Sequence, residues 1–144
     1  MLIGEYKHLI DDKKRMSLPA KFRKELGAKV VITYGLDKCL FLYTQKQWVA
    51  VAEKLSQLSM GAAEQRGFNR FMLAGAVEVE VDALGRILIP DFLKEFAQLN
   101  DKVVVTGVYS RVEVWNHTLW HEYKGRISAQ ADQMAEKLGE VGLI

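Results

Sequence analysis

Val77-Glu78-Val79-Glu80-Val81-Asp82-Ala83-Leu84-Gly85-Arg86-Ile87-Leu88-Ile89-Pro90 contains most of the information about the fold. Strict alternation from Val77 to Val81 is the pattern of a strand with one buried face. Asp82 to Gly85 reads as a turn, because Asp bonds its own backbone two residues on and Gly accepts positive φ. Arg86 to Ile89 reads as a second strand, and Pro90 opens a helix at its first turn. Phe92, Leu93 and Phe96 give that helix an apolar face. Strands at Val103–Thr106 and Val112–Trp115 complete the unit.

The same unit occurs earlier in the chain. Asp11, Arg15 and Pro19 recur as Asp82, Arg86 and Pro90 at an offset of 71, and Lys29-Val30-Val31 with Thr33 recurs as Lys102-Val103-Val104 with Thr106 at an offset of 73. Trp48 recurs as Trp120. The first copy reads as Tyr6–Ile10, the Asp11–Lys14 turn, Arg15–Leu18, a helix from Pro19 to Leu26 stopped by Gly27, Val30–Thr33 and Leu40–Tyr43. The expected organisation is α+β, with a first repeat and following helix at 5–60, a connecting helix at 61–75, a second repeat at 76–124 and a C-terminal helix and tail at 125–144. Trp48, Val51, Ala52, Leu55 and Leu58 stand at helical spacing after a Thr44 cap. The stripe Trp120, Tyr123, Ile127, Ala131, Met134 and Leu138 steps by threes and fours like a packing seam.

At 144 residues the chain is one domain in mass, with 49% apolar and 26% charged residues and a net charge of +2. That composition excludes a disordered chain, and no apolar run approaches the ~20 residues of a membrane span. Met1-Leu2-Ile3-Gly4-Glu5 does not read as a secretory leader. A single cysteine, Cys39, rules out an internal disulfide and reads as a small core residue. The expected address is the cytoplasm.

Charge is unevenly placed. Residues 7–29 carry eight cationic against three acidic side chains, a net +5, whereas residues 77–101 carry two against six, a net −4. No dinucleotide fingerprint, phosphate loop or nucleophile elbow is present, and no cofactor is implied. His117 and His121, one helical turn apart, leave a metal-dependent enzyme as a weaker alternative.

Asp-x-x-x-Arg, at Asp11/Arg15 and Asp82/Arg86, is the motif with chemical content. Across a tight turn the carboxylate can accept backbone N–H groups and hold the guanidinium by a charge-assisted pair. An arginine held in this way loses less entropy on meeting a phosphate or the O6/N7 edge of guanine. Read as a DNA-contact element, the motif makes Lys13, Lys14 and Arg15 the principal candidate contacts, with Arg86 in the second element; read structurally, it is a turn-forming aspartate with a solvated arginine. Asp11 and Asp82 are the turn organisers, and Lys21 and Arg23 are added phosphate contacts. From local charge alone, Arg15 is expected to outweigh Arg86.

Asp11-Asp12-Lys13-Lys14-Arg15-Met16-Ser17-Leu18-Pro19-Ala20-Lys21-Phe22-Arg23 resembles the first signature of the bacterial MraZ proteins. Asp82-Ala83-Leu84-Gly85-Arg86-Ile87-Leu88-Ile89-Pro90 resembles the second. Arg66-x-Phe68-x-Arg70-x-Met72-x-Ala74-Gly75-Ala76 is similar to the family's central helix, and Gly4-Glu5-Tyr6 fits its opening. The resemblance implies a pseudo-two-fold barrel of two swapped-hairpin AbrB-like repeats with flanking helices. It also implies a cytoplasmic, nucleoid-associated regulator that binds direct repeats in double-stranded DNA upstream of its own division and cell-wall operon. The resemblance and the C-terminal stripe together imply a ring-shaped homo-oligomer. An antitoxin-like, protein-binding barrel is the alternative. Lys14 stands where the family usually has Gly, which predicts an altered first turn, since Lys tolerates positive φ poorly.

Overall fold

The computed structural model describes residues 1–144. In chain order the elements are β1 (Ile3–Leu9), β2 (Arg15–Ser17), α1 (Ala20–Leu26), β3 (Lys29–Tyr34), β4 (Leu40–Thr44), α2 (Gln45–Ser56), α3 (Ala63–Ala74), β5 (Val77–Glu80), β6 (Arg86–Leu88), α4 (Asp91–Phe96), β7 (Lys102–Val108), β8 (Val112–Asn116) and α5 (His117–Glu140). Pro19 and Pro90 sit one residue earlier than the sequence suggests. Each caps its helix with an extended ψ, 132° and 141°, instead of occupying the first turn. Thr44 caps α2 as expected and forms a reciprocal box with Gln47, satisfying two donors at once.

Six strands form one antiparallel sheet in the order β1-β7-β8-β4-β3-β5, and β2 and β6 form a separate two-stranded ribbon. The pairing crosses between the repeats. β1 lies along β7 from Ile3↔Val108 to Leu9↔Lys102, and β5 lies along β3 from Lys29↔Glu80 to Ile32↔Val77. The ribbon joins the copies again, with Met16 opposite Ile87. Those two residues are equivalent under the repeat, so a pseudo-two-fold axis passes between them. β1 and β5 are the edges of the six-stranded sheet, and no single ladder closes through all eight strands.

Both faces of the central strands are covered, which is why β3, β4, β7 and β8 read as apolar runs with little alternation. The inner face packs on the ribbon and the two short helices: Met16, Leu18, Phe22, Ile87, Ile89 and Leu93 join Val30, Ile32, Leu40, Leu42, Val103 and Val105 in the main core. On the outer face α2, α3 and α5 cover a second cluster built on Phe41, Tyr43, Leu55, Met72 and Trp115. Thr33 on β3 donates to the Met72 carbonyl at 2.8 Å and so ties α3 to the sheet. Its repeat counterpart Thr106 is buried on β7, and its hydroxyl has no hydrogen-bond partner.

α5 begins against this layer, with Trp120 and Tyr123 on Trp115, and then leaves it. Residues 128–140 are all exposed, including Met134 and Leu138 at 41% each. The seam stripe seen in the sequence is therefore packed only over its first half. No helix is long and apolar enough to cross a membrane.

Candidate functional site

The two Asp-x-x-x-Arg turns have the same internal bonding. In the first, the Asp11 N–H donates to the Arg15 carbonyl and the Lys14 N–H to the Asp11 carbonyl, at 2.9 and 3.0 Å. Asp11 Oδ1 accepts the backbone N–H groups of Lys13 and Arg15, and Oδ2 accepts Arg15 Nε at 3.0 Å. In the second, Asp82 Oδ1 accepts from Leu84 and Arg86 N–H, and Oδ2 accepts Arg86 Nε at 2.8 Å. Each carboxyl is held below the ordinary aspartate value, chiefly by the backbone N–H of its arginine. Hydrogen bonds to the charged form favour that form.

The altered first turn expected from Lys14 does not occur. Lys14 adopts φ 63° where Gly85 adopts 77°, and every turn hydrogen bond is kept. The Asp11 bonds offset the cost of the left-handed conformation, which is roughly 1–2 kcal/mol for a residue with a Cβ. The Lys14 ammonium reaches Asp91 on α4 at 2.6 Å.

Both arginines stand on one surface. Met16 and Ile87 turn inward and are buried, so Arg15, Ser17, Arg86 and Leu88 all project from the outer face of the ribbon. Arg15 lies opposite Leu88 and Arg86 opposite Ser17. Their Cα atoms are therefore about 8 Å apart, two residues along and one strand across. Because each guanidinium is held at Nε, its two Nη groups are left for another partner.

The ribbon also changes the charge picture. Sequence-local charge puts a basic surround at Arg15 and an acidic one at Arg86, but the crossed pairing exchanges the neighbours. The first turn lies against acidic α4, where Lys14 and Lys94 share a ~650 Å³ cleft with Asp91 and Glu95. The second turn lies against basic α1, whose Arg23 covers Gly85. Arg23, which follows the first hairpin in sequence, therefore lies beside the second turn. Lys21 is exposed on α1 and Lys13 on the first turn.

Other candidates resolve differently. His117 and His121 meet with ring centroids 4.6 Å apart, yet no third His, Cys, Asp or Glu joins them. Partial burial, with His121, Lys7 and Lys102 nearby, holds His117 below its ordinary value. Cys39 is buried, donates to the Leu36 carbonyl, and burial pushes its thiol well up. Glu113 was not legible as special. It is 8% exposed on the outer face of β8 and accepts from Arg111 Nε and Nη2 and from Trp115 Nε1. Arg111 in turn lies over the Phe41 ring at 4.3 Å. In Val112-Glu113-Val114 the acid reads as the solvent-facing alternate, and only Arg111 two residues earlier hints at a buried pair.

A family described as "MraZ protein, putative antitoxin-like" matches residues 1–71 and again residues 72–139. A protein named transcriptional regulator MraZ from Caldicellulosiruptor saccharolyticus is 47% identical over 143 residues, covering 99% of this chain and 100% of its own. Proteins of the same name from Moorella thermoacetica and Caldanaerobacter subterraneus subsp. tengcongensis are each 49% identical over 138 residues, covering 96% of both chains.

Proposed function

The chain belongs to the MraZ family, and on that premise we propose that it regulates transcription by laying the β2–β6 ribbon in the major groove of double-stranded DNA. The observation behind this reading is that Arg15 and Arg86 share the ribbon's outer face, each oriented by its own aspartate. A major groove ~12 Å wide admits a two-stranded ribbon, and arginine with two free Nη groups suits guanine O6 and N7. Lys13 and Lys14 at one end, and Lys21 and Arg23 on α1, supply phosphate contacts. The relatives' names are those of regulators and not of enzymes.

The eight strands are taken as one pseudo-two-fold barrel of exchanged AbrB-like hairpins. Residues 5–60 and 76–124 are its two copies, 61–75 the connection and 125–144 the helix and tail outside it. One ribbon offers only two base-reading arginines, so affinity for an operator comes from linked copies. The uncovered half of α5 supports a ring of identically oriented subunits. Such a ring suits direct repeats, as a two-fold dimer suits palindromes, and linkage multiplies weak contacts by ~10²-fold or more. The sites are direct repeats upstream of the protein's own division and cell-wall operon, in a cytoplasmic, nucleoid-associated setting. The family's antitoxin-like description favours a second reading, a barrel that captures a toxin-sized protein.

A mobility shift against the DNA upstream of the gene and a random duplex, at several salt concentrations, tests the proposal. Specific retention that weakens with salt is expected. Equal affinity for both duplexes, or none, rejects it, and a protein partner with no DNA binding supports the second reading.

A further inference from the structure

The repeat gives the molecule two versions of one place, where an edge strand of the sheet meets the start of a long helix. In the first copy Lys29 Nζ on β3 lies 3.9 Å from Glu78 Oε2 on β5, and Gln45 at the start of α2 donates to Glu78 Oε1 at 3.4 Å. In the second copy the corresponding residues are Lys102 on β7, Lys7 on β1 and His117 at the start of α5. The register is the same: Lys7 stands two residues along and one strand across from Lys102, as Glu78 does from Lys29. A lysine thus occupies the position of the acid.

A cross-strand diagonal suits long side chains of opposite charge and disfavours like ones. Neither lysine finds an acid to relieve the repulsion. Glu5, next along the same face of β1, is taken by Lys124 and by Trp120 Nε1, each at 2.6 Å. Lys7 and Lys102 form no ion pair. Partial burial and His121 act first on the His117 imidazole, and the two ammonium groups add to them, so both cations lie near its ring. The three side chains line a cleft of about 330 Å³ with His8, Leu9 and Val103, and no carboxylate reaches it. That volume is in the range of small-molecule sites. In the first copy one carboxylate neutralises one lysine, whereas here two ammonium groups and an imidazole converge, a charge that a dianion matches. Both lysines stand on the outer face of the sheet, with Val104, and the ribbon packs against the inner face.

We propose that this cleft binds a small phosphate monoester, with Lys7 and Lys102 on the phosphate oxygens and a His117 ring N–H as a third contact. The site is separate from the ribbon and does not depend on the ribbon's reading. Titration calorimetry of the full chain with glycerol 3-phosphate and with inorganic phosphate, at constant ionic strength in chloride, tests it. Saturable binding of the ester at one site per chain is expected. Lys102→Ala should weaken it by about 10-fold or more, the effect of losing a charge-assisted contact. Lys7→Glu installs the acid of the first copy and should abolish binding. Its melting temperature should be no lower than that of the unliganded wild type, because the new carboxylate pairs with Lys102. Lys46→Ala, which removes an exposed lysine from α2, should leave binding unchanged. Lys7→Gln should keep operator affinity within about twofold, with the same salt slope. Absence of saturable ester binding, or binding of inorganic phosphate alone, overturns the proposal. So does an equal loss in Lys46→Ala and Lys102→Ala. A weaker operator complex in Lys7→Gln, with the slope lowered by about one, makes the cleft a DNA contact and overturns it too. Circular dichroism identifies any variant that fails to fold, and if Lys7→Glu does, Lys102→Ala and Lys7→Gln decide.

Discussion

The aspartates of the two turns combine a structural and an orienting role, which can be separated by removing charge without shape. Asn at position 11 or 82 retains a carbonyl for the backbone donors but offers an amide where Arg15 or Arg86 Nε was bound. Asp82→Asn should therefore lower the ratio of operator to random-DNA affinity, while random-DNA affinity stays level or rises as a negative charge disappears. Parallel titrations of the two duplexes check this. Because both carboxyls sit below the ordinary aspartate value, their contribution is complete above that value and is lost only as pH falls through the lower folded one. The operator preference should thus persist at about pH 5, well above the ordinary aspartate value. Lys14→Gly tests the other side of the first turn. Relief of the left-handed strain at φ 63° should raise thermal stability by no more than ~1 kcal/mol. Loss of the ammonium should weaken operator and random DNA alike.

The elements themselves were largely legible because the signals that make them are local: alternation in β5, Asp and Gly in the turns, Thr44 ahead of α2, Gly27 after α1. Their pairing was not legible. β1 and β5 each alternate well enough to lie beside either repeat's third strand, and nothing within a few residues specifies the crossing. The expectation that Arg15 outweighs Arg86 took each turn's charge from its sequence neighbours, whereas the crossing puts each turn against the other copy's helix. With about 8 Å between them, the two arginines also sit within one Debye length of ~10 Å and share a field. Arg15→Ala and Arg86→Ala should now cost similar amounts, on the order of 1–3 kcal/mol of specific binding each, and a tenfold disparity in a titration would contradict this. The repeat also leaves a matched pair of threonines in unmatched surroundings. Thr33→Val should cost about 1 kcal/mol by breaking the bond to the Met72 carbonyl, whereas Thr106→Val should be neutral or stabilising. Denaturant melts of the two variants compare them directly.

In the whole molecule, two layers of packing and one uncovered helix suggest different responses to truncation. Removing residues 129–144 takes away only exposed side chains, so the protomer should melt within a few degrees of the full chain. If the proposed ring forms through this part of α5, light scattering should show it reduced in mass. Arg111→Ala should act oppositely, leaving the proposed ring unaffected but stranding Glu113 without its cation, at a cost of about 2 kcal/mol or more. The crossed ladders have another consequence, which concerns the order in which the chain is made. β1 is complete once residue 9 has been added, but its partner begins at residue 102. At ~5–20 residues per second, roughly 5–20 s separate them. During that interval the nascent first repeat has no second copy in cis. The same strand on a neighbouring nascent chain offers the same alternation, so slowing translation or adding chaperones should raise the yield of correctly paired chains, which refolding yields measured at several chain concentrations would check.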